Sequence, residues 1–278
     1  MINIGIMAKT FERPSLEAVL DAVAAHGLRC LQFNMRCAGL ASLPDHIPPT
    51  LSDHIGQAMS RRGLTMAAVS GSFNMIHPDP RERQTGLRRL AELAAACPGM
   101  GTSLITLCTG SRDPNDMWRR HPDNDSPAAW RDLVTSLEQA LPIAERHGLT
   151  LAFEPEVANV IDSAVKARRL LDEMKAPNLK VVLDAANLFQ AGQLSHMPAI
   201  LDQAFELLGP DIALAHAKDL SHDGAAGQEA AGTGLLDYDR TLSLLQAAHF
   251  SGGLILHSLS EAQVPGCVTF LREKLFLG

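Results

Sequence analysis

Short apolar runs alternate with longer stretches of helical spacing along the whole chain. Eight runs rich in Ile, Val, Leu and Ala fit strands at 2–6, 29–33, 65–70, 103–108, 149–154, 179–184, 212–216 and 253–257. Between them apolar residues recur every three or four positions, the spacing that gathers them on one helix face. Leu16, Val19, Leu20 and Val23 make one such stripe. Trp130, Leu133, Val134, Leu137 and Leu141 make another, behind a Ser126-Pro127 start that suits a cap and first turn. Pro142 falls within that second helix and is expected to bend it near its end.

One joint recurs, as "AHGLRCLQF" from Ala25, "RRGLTMAAV" from Arg61 and "RHGLTLAFE" from Arg146. Each places a glycine between the end of a helix and the start of a strand, where a left-handed residue commonly closes the helix. Repeated helix–glycine–strand joints imply repeated βα units. Eight of them over this length predict an α/β fold, a (β/α)8 TIM barrel, as a single domain over residues 1–278. The same alternation would serve a doubly wound open sheet. The first strand, however, leads into "MAKTFERPS" and carries no GxGxxG phosphate-binding turn, so the barrel is preferred.

Composition narrows the setting. With 278 residues and 46% hydrophobic content the chain can bury a large core. A formal net charge of −7 argues against a nucleic-acid groove, which wants a basic stripe. Cys30, Cys37, Cys97, Cys108 and Cys267 are odd in number and never form a CxxC, which fits reduced thiols in a reducing compartment. The first residues lack a basic leader, and no apolar run approaches the ~20 residues of a membrane span. A cytoplasmic protein without membrane or nucleic-acid partners is expected.

The chemistry is expected at the strand ends, which converge on one face of a barrel. "TLAFEPE" ends a strand at Glu154, "KVVLDAAN" at Asp184, "IALAHAKD" at His216 and "LILHS" at His257. Period-two alternation turns Ala152 and Glu154 toward the axis, and likewise Val182 with Asp184, Leu214 with His216, and Ile255 with His257. Taken singly, each has an ordinary explanation: a histidine satisfied by a carbonyl, or an aspartate capping the next helix. Taken together, carboxylates packed in one mouth need a proton or a cation to compensate them. Four ligand types at one rim predict a metal site.

At "FEPE", "VLDAANL", "AHAKDL" and "GTGLLDY" the chain also resembles the xylose-isomerase-like barrels, the sugar and sugar-phosphate isomerases and epimerases, over nearly its whole length. The resemblance implies a divalent ion held by a glutamate, an aspartate, a histidine and a second glutamate. Glu154, Asp184 and His216 match the first three. His257 stands where the second glutamate is usual, and Asn187, an expected substrate contact, where many members carry a histidine. Two carboxylates and two imidazoles leave a near-neutral site that suits Mn²⁺, Zn²⁺, Co²⁺ or Fe²⁺ better than Mg²⁺.

The implied reaction is isomerisation of a small carbohydrate or polyol-derived ketone through a metal-stabilised enediolate, with Glu154 moving the proton. Lys218 would assist a developing oxyanion, or else pair with Asp219 or a neighbour. With His257 on the metal the second base of an epimerase is missing, which favours a one-base aldose–ketose isomerisation or an elimination. Glu156, of the same parity beyond Pro155, is a substitute base. A lyase or dehydratase on an oxidised sugar and a non-catalytic sugar-binding relative stay open. An endonuclease IV type of site would need more histidines than "VSGSF" and "LDAAN" carry. The resemblance also implies a homo-oligomer.

Two loops are expected to meet the substrate. "TGSRDPNDMWRRHPDNDSP" is long for a compact domain and holds Arg112, Trp118, Arg119, Arg120 and His121. As a lid it would offer Trp118 to a sugar face and an arginine to an anionic group; otherwise it is an oligomer contact. "SGSFNMIHPD" adds Asn74 and His77 at the same rim, as substrate contacts or as caps. In "AAGTGLLDYD", Gly232 and Gly234 fit a turn, with Asp237 capping the next helix. Cys108 fits an ordinary buried thiol.

Overall fold

All three repeated joints close on left-handed glycines. In the computed structural model, which describes residues 1–276, Gly27, Gly63 and Gly148 have φ of 68°, 60° and 64°. Each follows the end of a helix and releases the chain into a strand two or three residues later. The strands are β1 (Asn3–Met7), β2 (Cys30–Phe33), β3 (Thr65–Ser70), β4 (Leu104–Cys108), β5 (Thr150–Glu154), β6 (Leu179–Asp184), β7 (Ile212–Ala217) and β8 (Gly253–Leu256). The helices that follow them are α1 (Leu16–Ala25), α2 (Pro49–Ser60), α3 (Pro80–Met100), α4 (Pro127–Glu145), α5 (Ala164–Met174), α6 (Met197–Leu208), α7 (Tyr238–Ala247) and α8 (Val264–Phe276). The strands pair in parallel in chain order, and β1 pairs with β8 to close the barrel. This is the (β/α)8 TIM barrel that the alternation predicts.

Outward strand residues such as Phe33, Ile105, Phe153 and Leu183 pack on the helix stripes to form the main core. Leu16, Val19, Leu20 and Val23 are all buried in it. The second stripe is less uniform: Leu133, Leu137 and Leu141 are buried, whereas Trp130 and Val134 are only partly so. The Trp130 ring lies 3.9 Å beneath the Arg169 guanidinium and donates its indole N–H to Glu173 at 2.9 Å. An aromatic at a helix edge keeps its polar tip in reach of partners this way. Ser126 caps α4 as expected, and the helix continues through Pro142 to Glu145. No described helix is both long and apolar enough to cross a membrane.

Inside the barrel, each strand contributes one residue to an apolar plug: Met7, Cys30, Ala68, Leu104, Ala152, Val182, Leu214 and Ile255. One pleat further along, the inward positions turn polar: Gln32, Ser70, Thr106, Glu154 and His216 line the mouth, with Asp184 buried among them. Alternation alone does not align these tips. Register shifts of one residue, between Leu31 and Gln32 on the β2–β3 edge and between Val181 and Val182 on the β6–β7 edge, adjust the parity. The second shift, an extra residue at Ala213, brings His216 level with Asp184. Bulges of this kind re-aim side chains next to sites.

Candidate active site

The β5, β6 and β7 tips bring three ligand types together. Glu154, Asp184 and His216 each offer a donor atom within 4.8 Å of the others. His216 Nδ1 lies 3.5 Å from Asp184 Oδ2 and 3.6 Å from Glu154 Oε2. Each side chain is aimed by its other polar atom. Asp184 Oδ1 accepts from the backbone N–H of Ala186 at 3.2 Å, so the residue caps the following turn and still presents Oδ2. The Asn187 amide donates to Glu154 Oε1 at 2.6 Å and accepts from the N–H of Gly227, leaving Oε2 toward the cluster. Asn187, expected to touch substrate, thus clamps a cluster carboxylate as well as lining the cavity.

The electrostatics are tense. Burial would raise the carboxyl pKa of Asp184, but Lys218, at 3.4 Å, and His216 overcome it and bring it down to about 2. Burial likewise opposes an imidazolium at His216, yet Glu154 and Asp184 outweigh it and pull the ring up to about 9. His257 stacks on His216 with centroids 5.3 Å apart and planes within 16°. Burial, then its cationic neighbours His216 and Lys218, push its pKa well down, so this ring is neutral. It lies one residue beyond β8, and its Nδ1 faces Ser258 Oγ at 3.1 Å. His257 lines the cavity but is not among the three clustered donors.

The donor set fits a divalent cation. Asp184 Oδ2 and His216 Nδ1 are buried side-chain atoms without a hydrogen-bond partner, and both face the same point as Glu154 Oε2. An unpartnered buried polar atom costs about 1–3 kcal/mol, so a pair of them on one locus marks a place for a ligand rather than a packing defect. Two carboxylates and an imidazole are donors for borderline divalent ions.

Above the cluster opens a cavity of about 350 Å³. Glu156 lines it at 3% exposure, accepting from the Ala158 N–H and the Asn159 amide. Burial is the main force pushing its carboxyl up to about 7, with Glu154 adding to it. Lys218 lines the cavity too, but its ion pair is with Asp184 rather than Asp219. Asp219 instead accepts backbone N–H groups of Leu220, Gly232 and Leu236, folding the β7–α7 loop over itself. Asp237 then caps α7, as expected.

Trp118, at 48% exposure, and Met117 reach the cavity from the β4–α4 loop. The other candidates from the rim do not line it; they brace loops. Asn74 holds Ser111 by both backbone groups. His77 faces the carbonyls of Asp79 and Pro114. His121 caps the turn Pro122–Asp125. Arg112 pairs with Asp132 at 2.7 Å and donates to the Ile76 carbonyl, while Arg119 and Arg120 pair with Asp113, Asp125 and Asp162. These arginines are committed to the loop, not offered to an anionic substrate. Cys108 is a buried thiol whose pKa burial pushes up to about 12.

Several lining residues escaped the sequence reading: Lys9 after β1, and Gln32, Ser70 and Thr106 on β2, β3 and β4. The signal was there, since each of the last three is a polar residue within an apolar strand. The parity that turns Glu154 inward on β5 turns these three inward on β2, β3 and β4, each two positions beyond a plug residue.

Asn187→Ala is expected to lower turnover by about 10–100-fold, the usual effect of losing a group that orients a ligand. Unfolding temperature should fall as well, because the buried Gly227 N–H loses its acceptor, and steady-state kinetics beside a thermal melt separate the two effects.

A family model described as a xylose isomerase-like TIM barrel matches residues 20–271 of this chain. A comparison with curated proteins finds no significant match. Among solved structures, a D-tagatose 3-epimerase-like protein superposes with a TM-score of 0.79 at 13% identity, covering 99% of this chain and 98% of its own. An L-ribulose 3-epimerase superposes at 0.78 with 16% identity, over 99% and 95%. The IolI protein, solved with a bound zinc atom, gives 0.75 at 16% identity, over 99% and 98%. At such identities the likeness is one of fold.

Proposed function

We propose that this chain, which belongs to the xylose isomerase-like TIM barrel family, is a divalent-metal-dependent isomerase or epimerase that moves a proton beside the carbonyl of a small carbohydrate or polyol-derived ketone. The observation that carries the proposal is the convergence of Asp184 Oδ2, His216 Nδ1 and Glu154 Oε2 at the barrel mouth, the first two buried without a hydrogen-bond partner. The likeness to sugar epimerases and to a zinc-binding protein of the same fold supports the substrate class and the ion. Glu154, Asp184 and His216 hold the ion, which when bound polarises the substrate carbonyl and stabilises the enediolate charge.

The chain's own residues supply the rest. Glu154, partly open to the cavity, takes the proton from the carbon beside the carbonyl. Asn187 keeps that carboxylate from swinging away. Lys218 donates to the oxygen on which charge develops. Glu156, its carboxyl pushed up to about 7 by burial, exchanges a proton with the opposite end of the substrate. The stacked neutral ring of His257 either joins the ion as a fourth donor or hydrogen-bonds a substrate hydroxyl. Trp118 covers the sugar face from the loop. Mn²⁺, Zn²⁺, Co²⁺ or Fe²⁺ suits the site, and the protein works as a cytoplasmic, homo-oligomeric enzyme.

Elimination from an oxidised sugar is favoured by one feature, the protonatable Glu156, which is the kind of acid that expelling a hydroxyl requires. Incubating metal-loaded protein with a panel of ketoses in D₂O tests both. Deuterium entering beside the carbonyl, lost on chelation and restored by Mn²⁺, Co²⁺ or Zn²⁺, is the expected result. An unsaturated product identifies the lyase instead. Sugar binding without exchange identifies a non-catalytic relative, and protein that takes up no metal overturns the proposal.

A further inference from the structure

Gln32 meets His216 on the edge of the ring that faces away from the carboxylates. Its side chain is buried, and both amide hydrogens and the carbonyl oxygen find partners. Nε2 donates to Ser70 Oγ and to Thr106 Oγ1, both at 3.0 Å, and Oε1 lies 2.9 Å from His216 Nε2. An amide nitrogen carries two hydrogens, and the two hydroxyl oxygens take them. What faces the imidazole is therefore a carbonyl, which only accepts. His216 Nε2 must then carry a proton. Once the proton between the carboxylates is gone, the neutral ring has one proton to place, so Nδ1 is the nitrogen left with a lone pair, 3.5 Å from Asp184 and 3.6 Å from Glu154.

We propose that Gln32, held by Ser70 and Thr106, selects the His216 tautomer and makes Nδ1 the metal-binding nitrogen. The second half of that statement rests on the metal reading given above; the first stands on the hydrogen bonds alone. Gln32 is a positioning residue, acting through His216. Its partners sit on β3, β4 and β7, so the arrangement crosses the barrel and references the ring to four strands at once. A metal-bound histidine commonly donates its other N–H to such an acceptor, which fixes both tautomer and orientation. Here the acceptor is an amide whose own rotation is blocked by two hydroxyls supplied by separate strands.

The test uses the full chain labelled with ¹⁵N-histidine, titrated with Zn²⁺ and compared with Gln32→Leu and Gln32→Glu. In the wild type a protected Nε2–H signal is expected with and without zinc, and zinc addition shifts Nδ1. Gln32→Leu removes the acceptor, so Nε2–H loses protection and zinc affinity falls by about 10–100-fold. Gln32→Glu accepts at the same place, with Ser70 and Thr106 now donating to it, and keeps affinity within about threefold of the wild type, well inside the loss expected for a missing partner. A residue needed only for packing would show the reverse order, the leucine tolerated and the glutamate not.

Two results overturn the proposal. One is a wild-type ring that carries its proton at Nδ1 and none at Nε2, which would mean that the amide is rotated. The other is a Gln32→Leu variant that binds zinc as the wild type does. Wild-type protein with a protected Nε2–H but no zinc uptake overturns the metal-binding half, and with it the metal reading, while upholding the tautomer assignment.

Discussion

Glu154→Gln is expected to lower turnover by about 10³–10⁴-fold, since a positioned general base supplies up to that much and the substitution weakens an ion ligand as well. The amide can still accept from Asn187, and the residue is only half-buried, so folding should be intact. Deuterium exchange into a substrate ketose, followed beside circular dichroism, measures both effects. Retention of exchange within tenfold would remove Glu154 from the proton path and leave Glu156 as the base.

The second large effect concerns pH and the ion. Below about 9, metal-free His216 holds a proton between Glu154 and Asp184, so a divalent ion must displace it. Releasing one proton makes apparent affinity rise by about tenfold per pH unit up to that value and flatten above it. Between pH 6.5 and 8.5 the gain is therefore about 100-fold, read by competition with a chelator across a buffer series. Stability of the metal-free protein runs the other way. The raised His216 value contributes stabilisation that is fully present below the unfolded value of 6.5 and is lost as pH rises through about 9. Asp184 contributes the mirror case: its stabilisation is present above 3.8 and is lost as pH falls through about 2. An affinity that does not change with pH would show that His216 is not displaced.

The fold was legible because its signals are local. A helix-closing glycine and a period-two strand depend on neighbours in the chain, and "AHGLRC" and "RHGLTL" state both within a few residues. The Glu154, Asp184 and His216 cluster was legible for the same reason, since a strand tip in a barrel has a known direction. The rim was not. Whether Arg112 faces a substrate or Asp132 is decided by a residue 20 positions further along, on α4, and nothing in "GSRDPND" encodes it. Asn74 and His77, open to two roles from the sequence, take the structural one and serve the backbone of the neighbouring loop. The register shift at Ala213 also has no signature in "IALAHA", yet it determines that His216 stands level with Asp184.

The β4–α4 loop neutralises its own cations. Arg112, Arg119 and Arg120 are matched by Asp132, Asp113, Asp125 and Asp162, so the segment holds its shape without help from whatever enters the barrel. Met117 and Trp118 ride on that scaffold as a separable tip. Under the proposed function, selectivity would accordingly be modular: exchanging these two side chains would offer a different surface to the guest while leaving the ion pairs of the loop and the Glu154, Asp184 and His216 cluster untouched.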